Sequence, residues 1–242
     1  MIHWLHAMTF ELLAFVFVLP FLRLFRLSKN FQKPVGNLQG KPILLVHGYC
    51  NDGSVWRYMK KRIAEAGMGP IYTVDLGSPF RSIREYALKV KEKAEMIRQE
   101  TNRSDLILIG HSMGGLVSSI YATDFAPPDT VTDVITIGSP LGGTHIAKVG
   151  IGPNAKEMRY KSELVEQLGE KIAKQSAIRF YHIGTNTDQL IIPAQSALLK
   201  FNAAREFFFE DIGHASMLMS PRVANLIAYW LKEVELGASE IA

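Results

Sequence analysis

A serine hydroxyl becomes a useful nucleophile only when a base can take its proton and an acid can hold that base in place. Ser112 in Gly110-His111-Ser112-Met113-Gly114 is the residue whose setting best suits that chemistry. The motif follows a short apolar run, Leu106 to Ile109, and opens a stretch with helical character, Gly114 to Thr123. A serine between a buried strand and a helix sits on a sharp turn. Side chains at positions 110 and 114 of such a turn would collide with neighbouring backbone, so glycine is needed there. The N-terminal N–H groups of the following helix favour negative charge beside the serine. Without that context the same five residues would also suit an ordinary glycine-rich strand-to-helix turn.

An elbow of this kind takes its partners in chain order: serine, acid, histidine. Three histidines follow Ser112, at positions 145, 182 and 214. His214 lies in Asp211-Ile212-Gly213-His214-Ala215-Ser216, after the last apolar strand and before the last helix, on the sheet edge where the serine also sits. It is the expected base. His182 falls inside a strand and reads as a core histidine. Asp188 is the expected acid, in the loop Gly184 to Pro193; its alternative role is to form an Asx-turn. Asp129 and Asp133 come too early, and Asp211 is too near His214 and reads as a turn former.

The tetrahedral intermediate of acyl transfer needs two N–H donors aimed at its oxyanion. Met113, directly after the nucleophile, supplies one. The loop His47-Gly48-Tyr49-Cys50, after the first core strand, supplies the other through the Tyr49 N–H. Four residues are expected around the cleft. His47 braces the oxyanion loop through its ring nitrogens, and His111 shapes the turn. Leu141 and His145 belong to the glycine-rich segment beside the cleft.

The elements that must position these groups alternate. Strands are predicted over Pro42–Val46, Ile71–Val74, Leu106–Ile109, Val134–Ile137, Arg179–Ile183 and Glu206–Phe209. Helices are predicted over Gly53–Ala66, Ser82–Glu100, Gly114–Thr123, Ser162–Gln175 and Pro221–Glu235. This alternation predicts an α/β fold, a mostly parallel sheet with helices on both faces. Residues 141–178 interrupt the rhythm over the C-terminal edge of the sheet and are expected to form a small cap or lid. The division expected is residues 1–27 as a hydrophobic helix, 28–40 as a linker and 41–242 as one catalytic domain. A length of 242 residues suits one such domain.

Composition narrows the partners. With 48% hydrophobic and 21% charged residues the chain can bury a sizeable core. A formal net charge of +4 without a basic, aromatic-interleaved stripe argues against nucleic acid and suits loose attraction to anionic lipid. The single cysteine, Cys50, rules out an internal disulfide. No carboxylate cluster has calcium-ligand spacing, so neither metal nor cofactor is expected.

The N-terminus stands apart. Leu12 to Leu22 is continuously apolar, Glu11 precedes it, and Arg23, Arg26, Lys29 and Lys33 follow. A cleaved signal peptide lacks its basic start and its small-residue cleavage site. A spanning helix needs about 20 apolar residues, which Met1 to Leu22 barely supplies. An interfacial helix and a buried or oligomer-packing helix also fit. Membrane association is the expectation. For a spanning segment, the basic cluster places the catalytic domain on the cytoplasmic side.

Taken together, His47-Gly48-Tyr49, Gly110 through Gly115, Gly138-Ser139-Pro140-Leu141-Gly142-Gly143-Thr144, and Asp188 through Pro193 with His214 downstream resemble the bacterial triacylglycerol lipases of the α/β-hydrolase superfamily. They resemble the inositol deacylases more loosely. The resemblance spans roughly residues 41–236. It implies a triad of Ser112, Asp188 and His214, with Tyr49 and Met113 as oxyanion donors. It further implies cleavage of esters with apolar acyl chains through an acyl-enzyme, which the apolar N-terminus would hold beside a membrane. The same machinery would serve acyl transfer or thioester cleavage, and the same fold would serve a non-catalytic binding protein. Many such lipases have a longer region between the serine helix and the acid; here it is short.

Overall fold

The computed structural model describes residues 33–199 and 203–237. The expected N-terminal helix lies outside them. Six strands form one sheet: β1 (Ile43–Val46), β2 (Ile71–Val74), β3 (Leu106–His111), β4 (Val131–Ile137), β5 (Arg179–Thr185) and β6 (Ala203–Phe209). Their order is β2-β1-β3-β4-β5-β6, and every neighbouring pair is parallel. Helices α1 (Arg57–Glu65), α2 (Ile83–Thr101), α3 (Met113–Ile120), α4 (Pro153–Glu157), α5 (Glu163–Lys174) and α6 (Pro221–Gly237) connect and cover them.

The strands alternate their apolar side chains between two faces, as parallel strands covered on both sides must. Leu44, Val46, Leu108, Val134 and Phe180 pack with side chains of α2, α3 and α5. Ile43, Leu45, Ile107, Ile109, Ile135 and Ile137 pack with those of α1 and α6. Each fully buried aliphatic side chain contributes roughly 1.5–3 kcal/mol of transfer free energy. The central strands therefore have little freedom to shift relative to one another. Strand β1 lies between β2 and β3, so the chain leaves β1 toward one edge and returns past it to the other side. Such a switch point opens a crevice outside the carboxyl ends of β1 and β3, where ligands bind in open α/β sheets. Those two ends carry the His47–Cys50 loop and Ser112.

Sequence signals set several boundaries. Ser82 caps α2: its hydroxyl accepts from the Glu85 N–H at 3.2 Å, and Glu85 Oε2 accepts from the Ser82 N–H at 2.8 Å. The predicted helix over Gly53–Ala66 divides into a 3₁₀ turn, Gly53–Trp56, and α1. The helix predicted to Thr123 ends at Ile120 and continues as a π-helical turn, Tyr121–Phe125. Residues 33–40, expected as linker, are attached to the β2 edge. Val35 bridges Ile71, and the Asn37 N–H donates to Met68 O at 3.1 Å.

Residues 141–178 hold α4 and α5. The segment is partly core: Val165, Leu168 and Ile172 of α5 are buried beneath the sheet-covering layer, as are Leu141, Ala147 and Met158. Its outermost part is the turn at Val149–Gly152, where Val149 is 83% and Ile151 69% exposed.

Candidate active site

Ser112 follows β3 and caps α3 with φ 56° and ψ −129°, a left-handed conformation that residues with a Cβ adopt only under constraint. The surroundings supply that constraint. The Ser112 N–H donates to Ile137 O at 2.9 Å, and its carbonyl accepts from Gly115 N–H at 3.0 Å. The glycines let helix and strand approach. A Cβ at Gly110 would lie 2.4 Å from Gly114 O, and one at Gly114 would lie 2.1 Å from Val46 O. Both approaches are far inside contact distance, which is the collision expected of an elbow. Ser112 remains partly exposed while its neighbours on both sides are buried.

Asp188 and His214 meet. His214 Nδ1 lies 2.9 Å from Asp188 Oδ2, and both residues are buried. The other carboxylate oxygen, Oδ1, accepts from the N–H groups of Leu190 at 2.9 Å and Ile191 at 2.8 Å. Asp188 thus holds its own loop in an Asx-type turn through Oδ1 while Oδ2 faces the histidine. The loops that bear Asp188 and His214 are tied together twice more. Thr187 Oγ1 donates to Ile212 O at 2.9 Å, and His214 N–H donates to Gln189 Oε1 at 3.3 Å. Because Nδ1 faces a carboxylate, it carries the proton, leaving Nε2 as the basic nitrogen. Gly138, with φ +53°, passes directly alongside. A Cβ there would stand 3.3 Å from His214 Nδ1 and 3.4 Å from Asp188 Oδ2.

His111 completes the connection. Its Nε2 donates to the carbonyl oxygen of His214 at 3.1 Å, and the two rings lie 4.7 Å apart, centre to centre. Burial, and then the neighbouring His214, push the His111 imidazolium well below its usual range. His111 is therefore a neutral brace between the turn that bears Ser112 and the loop that bears His214.

The loop after β1 presses against the serine. A Cβ at Gly48 would fall 2.9 Å from Ser112 Cβ and 3.4 Å from Ser112 Oγ. His47 fixes this loop: its Nδ1 donates to Gly48 O at 3.0 Å, and its Nε2 accepts from Leu76 N–H at 3.0 Å. Tyr49 follows, partly exposed. Met113 is the first residue of α3, a position whose N–H has no acceptor within the helix. Of the four residues expected around the cleft, His47, His111 and Leu141 are buried behind it. His145 is exposed and packs its ring 4.5 Å from that of Tyr160. His182 is buried in β5, with Nδ1 2.9 Å from Thr136 Oγ1. The brace role of His111 toward His214 was not visible in sequence, because it depends on two loops over a hundred residues apart.

A strained serine at the carboxyl end of a central parallel strand, its turn bonded through His111 to the loop of a histidine that pairs with an acid, decides the fold. The chain is an α/β-hydrolase-fold protein. The family profile described as the alpha/beta hydrolase fold matches residues 41–157. The mature lipase BlEst2 of Bacillus licheniformis superposes on this chain with a TM-score of 0.68 at 16% identity, covering 85% of this chain and 96% of that one. The monoacylglycerol lipase of Paleococcus ferrophilus superposes with a TM-score of 0.62 at 16% identity, covering 79% and 95%. Among curated proteins, the chain is 32% identical over 130 residues to the pimeloyl-[acyl-carrier protein] methyl ester esterase of Proteus mirabilis, covering 53% of this chain and 48% of that protein. It is 34% identical over 87 residues to salicylic acid-binding protein 2 of Nicotiana tabacum, covering 32% of each. The chain spans about half the length, or less, of the curated relatives it matches.

Proposed function

We propose that the protein is a carboxylic ester hydrolase in which Ser112, Asp188 and His214 act as a triad. One observation carries the reading: the buried 2.9 Å pairing of His214 with Asp188, braced by His111 against the turn that bears Ser112. Ser112 Oγ attacks the ester carbonyl carbon, and its proton passes to His214 Nε2. The ionised Asp188 stabilises the imidazolium and fixes its tautomer. The N–H groups of Tyr49 and Met113 receive the oxyanion. When the intermediate collapses, the alcohol leaves with the proton from His214. Water then attacks the acyl-enzyme by the same route and releases the acid.

The ester reading draws on relatives named as esterases and neighbours named as lipases. A preference for apolar acyl groups is supported by the exposed side chains of Ile151, whose backbone bonds the Tyr49 phenol, and of Phe80, which Gly152 touches. Association with a membrane surface is supported by the apolar run Leu12 to Leu22 and the basic residues after it. No helix among the described residues is long and apolar enough to cross a membrane. A p-nitrophenyl ester series of increasing chain length tests the activity. Turnover that is lost in Ser112→Ala supports the reading, and the absence of turnover at every length contradicts it. Flotation of the full chain with vesicles, and protease protection in intact membranes, test the location.

A further inference from the structure

The phenol of Tyr49 does something its proposed oxyanion role does not require. It donates to Ile151 O at 2.8 Å and accepts from Ile151 N–H at 3.2 Å. One side chain therefore satisfies both backbone groups of a residue 102 positions away in sequence. Burial raises the phenol above its usual value, so it remains a proton donor throughout the neutral range. Ile151 lies in the outermost turn of the cap, between Gly150 and Gly152. Gly152 has φ +99°, and a Cβ there would stand 3.2 Å from Phe80 Cα, so the turn rests against the Phe80 loop. Below the turn, Asn154 Nδ2 donates to Pro79 O at 2.8 Å and lies 3.5 Å from the Met113 sulfur. The Tyr49 phenol thus joins the oxyanion loop to the backbone of Ile151, and the next residue, Gly152, rests against Phe80; the side chains of Phe80, Val149 and Ile151 are exposed.

We propose that Tyr49 is a positioning residue that locks the Val149–Gly152 turn to the oxyanion loop and so holds an apolar ledge, made by Phe80, Val149 and Ile151, for the acyl chain of the substrate. The inference rests on the hydrolase reading and adds a determinant of chain length to it. An acyl chain lying on the ledge leaves its carbonyl beside the Tyr49 N–H, because ledge and loop are fixed to each other through the same residue. Apolar surface removed from water by the chain supplies about 0.8 kcal/mol per methylene, so long esters gain and short esters do not.

Two readouts on the full chain test this, one of them independent of turnover. In Tyr49→Phe, hydrogen exchange at the Ile151 amide is expected to accelerate at least tenfold, because its acceptor is gone. The ratio of kcat/KM for a ten-carbon ester to that for a four-carbon ester is expected to fall about fivefold, chiefly through KM for the longer ester. In Ile151→Ser the backbone bonds persist, so amide exchange stays slow while the ratio falls similarly. Unchanged exchange in Tyr49→Phe overturns the lock. Faster exchange with an unchanged ratio overturns the role in acyl recognition. A native chain that turns over no ester overturns both the hydrolase reading and the ledge, while the exchange result still decides the lock.

Discussion

His111 Nε2 donates to the carbonyl oxygen of His214 at 3.1 Å, so the residue before the proposed nucleophile holds the backbone of the proposed base. The bond spans 103 positions of sequence. It means that the turn bearing Ser112 and the loop bearing His214 cannot drift apart without losing a buried hydrogen bond. His111→Phe keeps the ring volume and removes the donor. It is expected to lower kcat about tenfold with little change in KM, and to cost about 1–3 kcal/mol because a buried carbonyl loses its partner. Steady-state kinetics and urea unfolding of the same samples check both. An unchanged kcat would show that the His214 loop needs no such brace.

Asp188 is expected to act through the tautomer of His214. Asp188→Asn leaves the size of the side chain unchanged but replaces the acceptor facing Nδ1 with a group that also donates, which favours the wrong tautomer. A loss of about 10³–10⁴-fold in kcat is expected at neutral pH, with the fold retained. Retained full activity would move the acid elsewhere.

Gly48 isolates crowding from backbone strain. Its φ lies outside the left-handed region, so alanine is permitted by the backbone, yet the new Cβ would sit 2.9 Å from Ser112 Cβ. Gly48→Ala is expected to lower kcat/KM at least a hundredfold by displacing the serine or the oxyanion loop, while circular dichroism stays native. Wild-type kinetics in this variant would contradict the packing of that loop against Ser112.

Stability should fall on mild acidification. Burial pushes His182 down to about 4, and His111 is held well below its usual value. Unfolded histidines titrate near 6.5. Between those values the unfolded chain binds protons that the native chain refuses, so stability rises with pH there and is full above about pH 6.5. Each histidine contributes at most about 1.4 kcal/mol per pH unit inside the window. Urea midpoints from pH 4.5 to pH 7.5 should rise with pH, and the slope should diminish in His182→Gln. A flat profile would contradict the burial of these rings as neutral species.

Asp133 offers a separation of stability from chemistry. It is wholly buried in β4 and receives Arg179 Nε at 2.8 Å and Nη2 at 3.1 Å. Arg179→Ala leaves a buried carboxylate without its cation and is expected to destabilise by about 3 kcal/mol. The pair lies at the start of β4 and β5, the edge of the sheet away from Ser112, so kcat per folded molecule should not change. A lowered kcat would imply that the far edge of the sheet reaches the active site.

Much of the scaffold could be read from the residues alone because the central runs Ile43–Val46 and Leu106–Ile109 are short, apolar and wholly buried. Ile71–Val74 and Arg179 as the start of β5 appear in the structure as predicted. Others were cut short in prediction: β4 begins at Val131, and β6 begins at Ala203 with mostly exposed residues, which carry no apolar signal. Helix α4 has five residues and was below the length at which periodicity speaks. The π-helical turn after Ile120 was invisible because it reflects tertiary fit rather than local preference. At the site, Ser112 carried its own glycine context, whereas Asp188 was inferred only from loop position. The contact of His111 with His214, and that of Tyr49 with Ile151, join residues more than a hundred positions apart. Such contacts leave no spacing to read.

Activation of Ser112 in the native chain is the property on which the hydrolase reading depends. Treating the folded protein with a fluorophosphonate probe and mapping the adduct by mass spectrometry tests this most directly. One adduct is expected, on Ser112, absent after heat denaturation and absent in Ser112→Ala and in His214→Ala. A native chain that stays unlabelled, or one labelled at another residue, would contradict it.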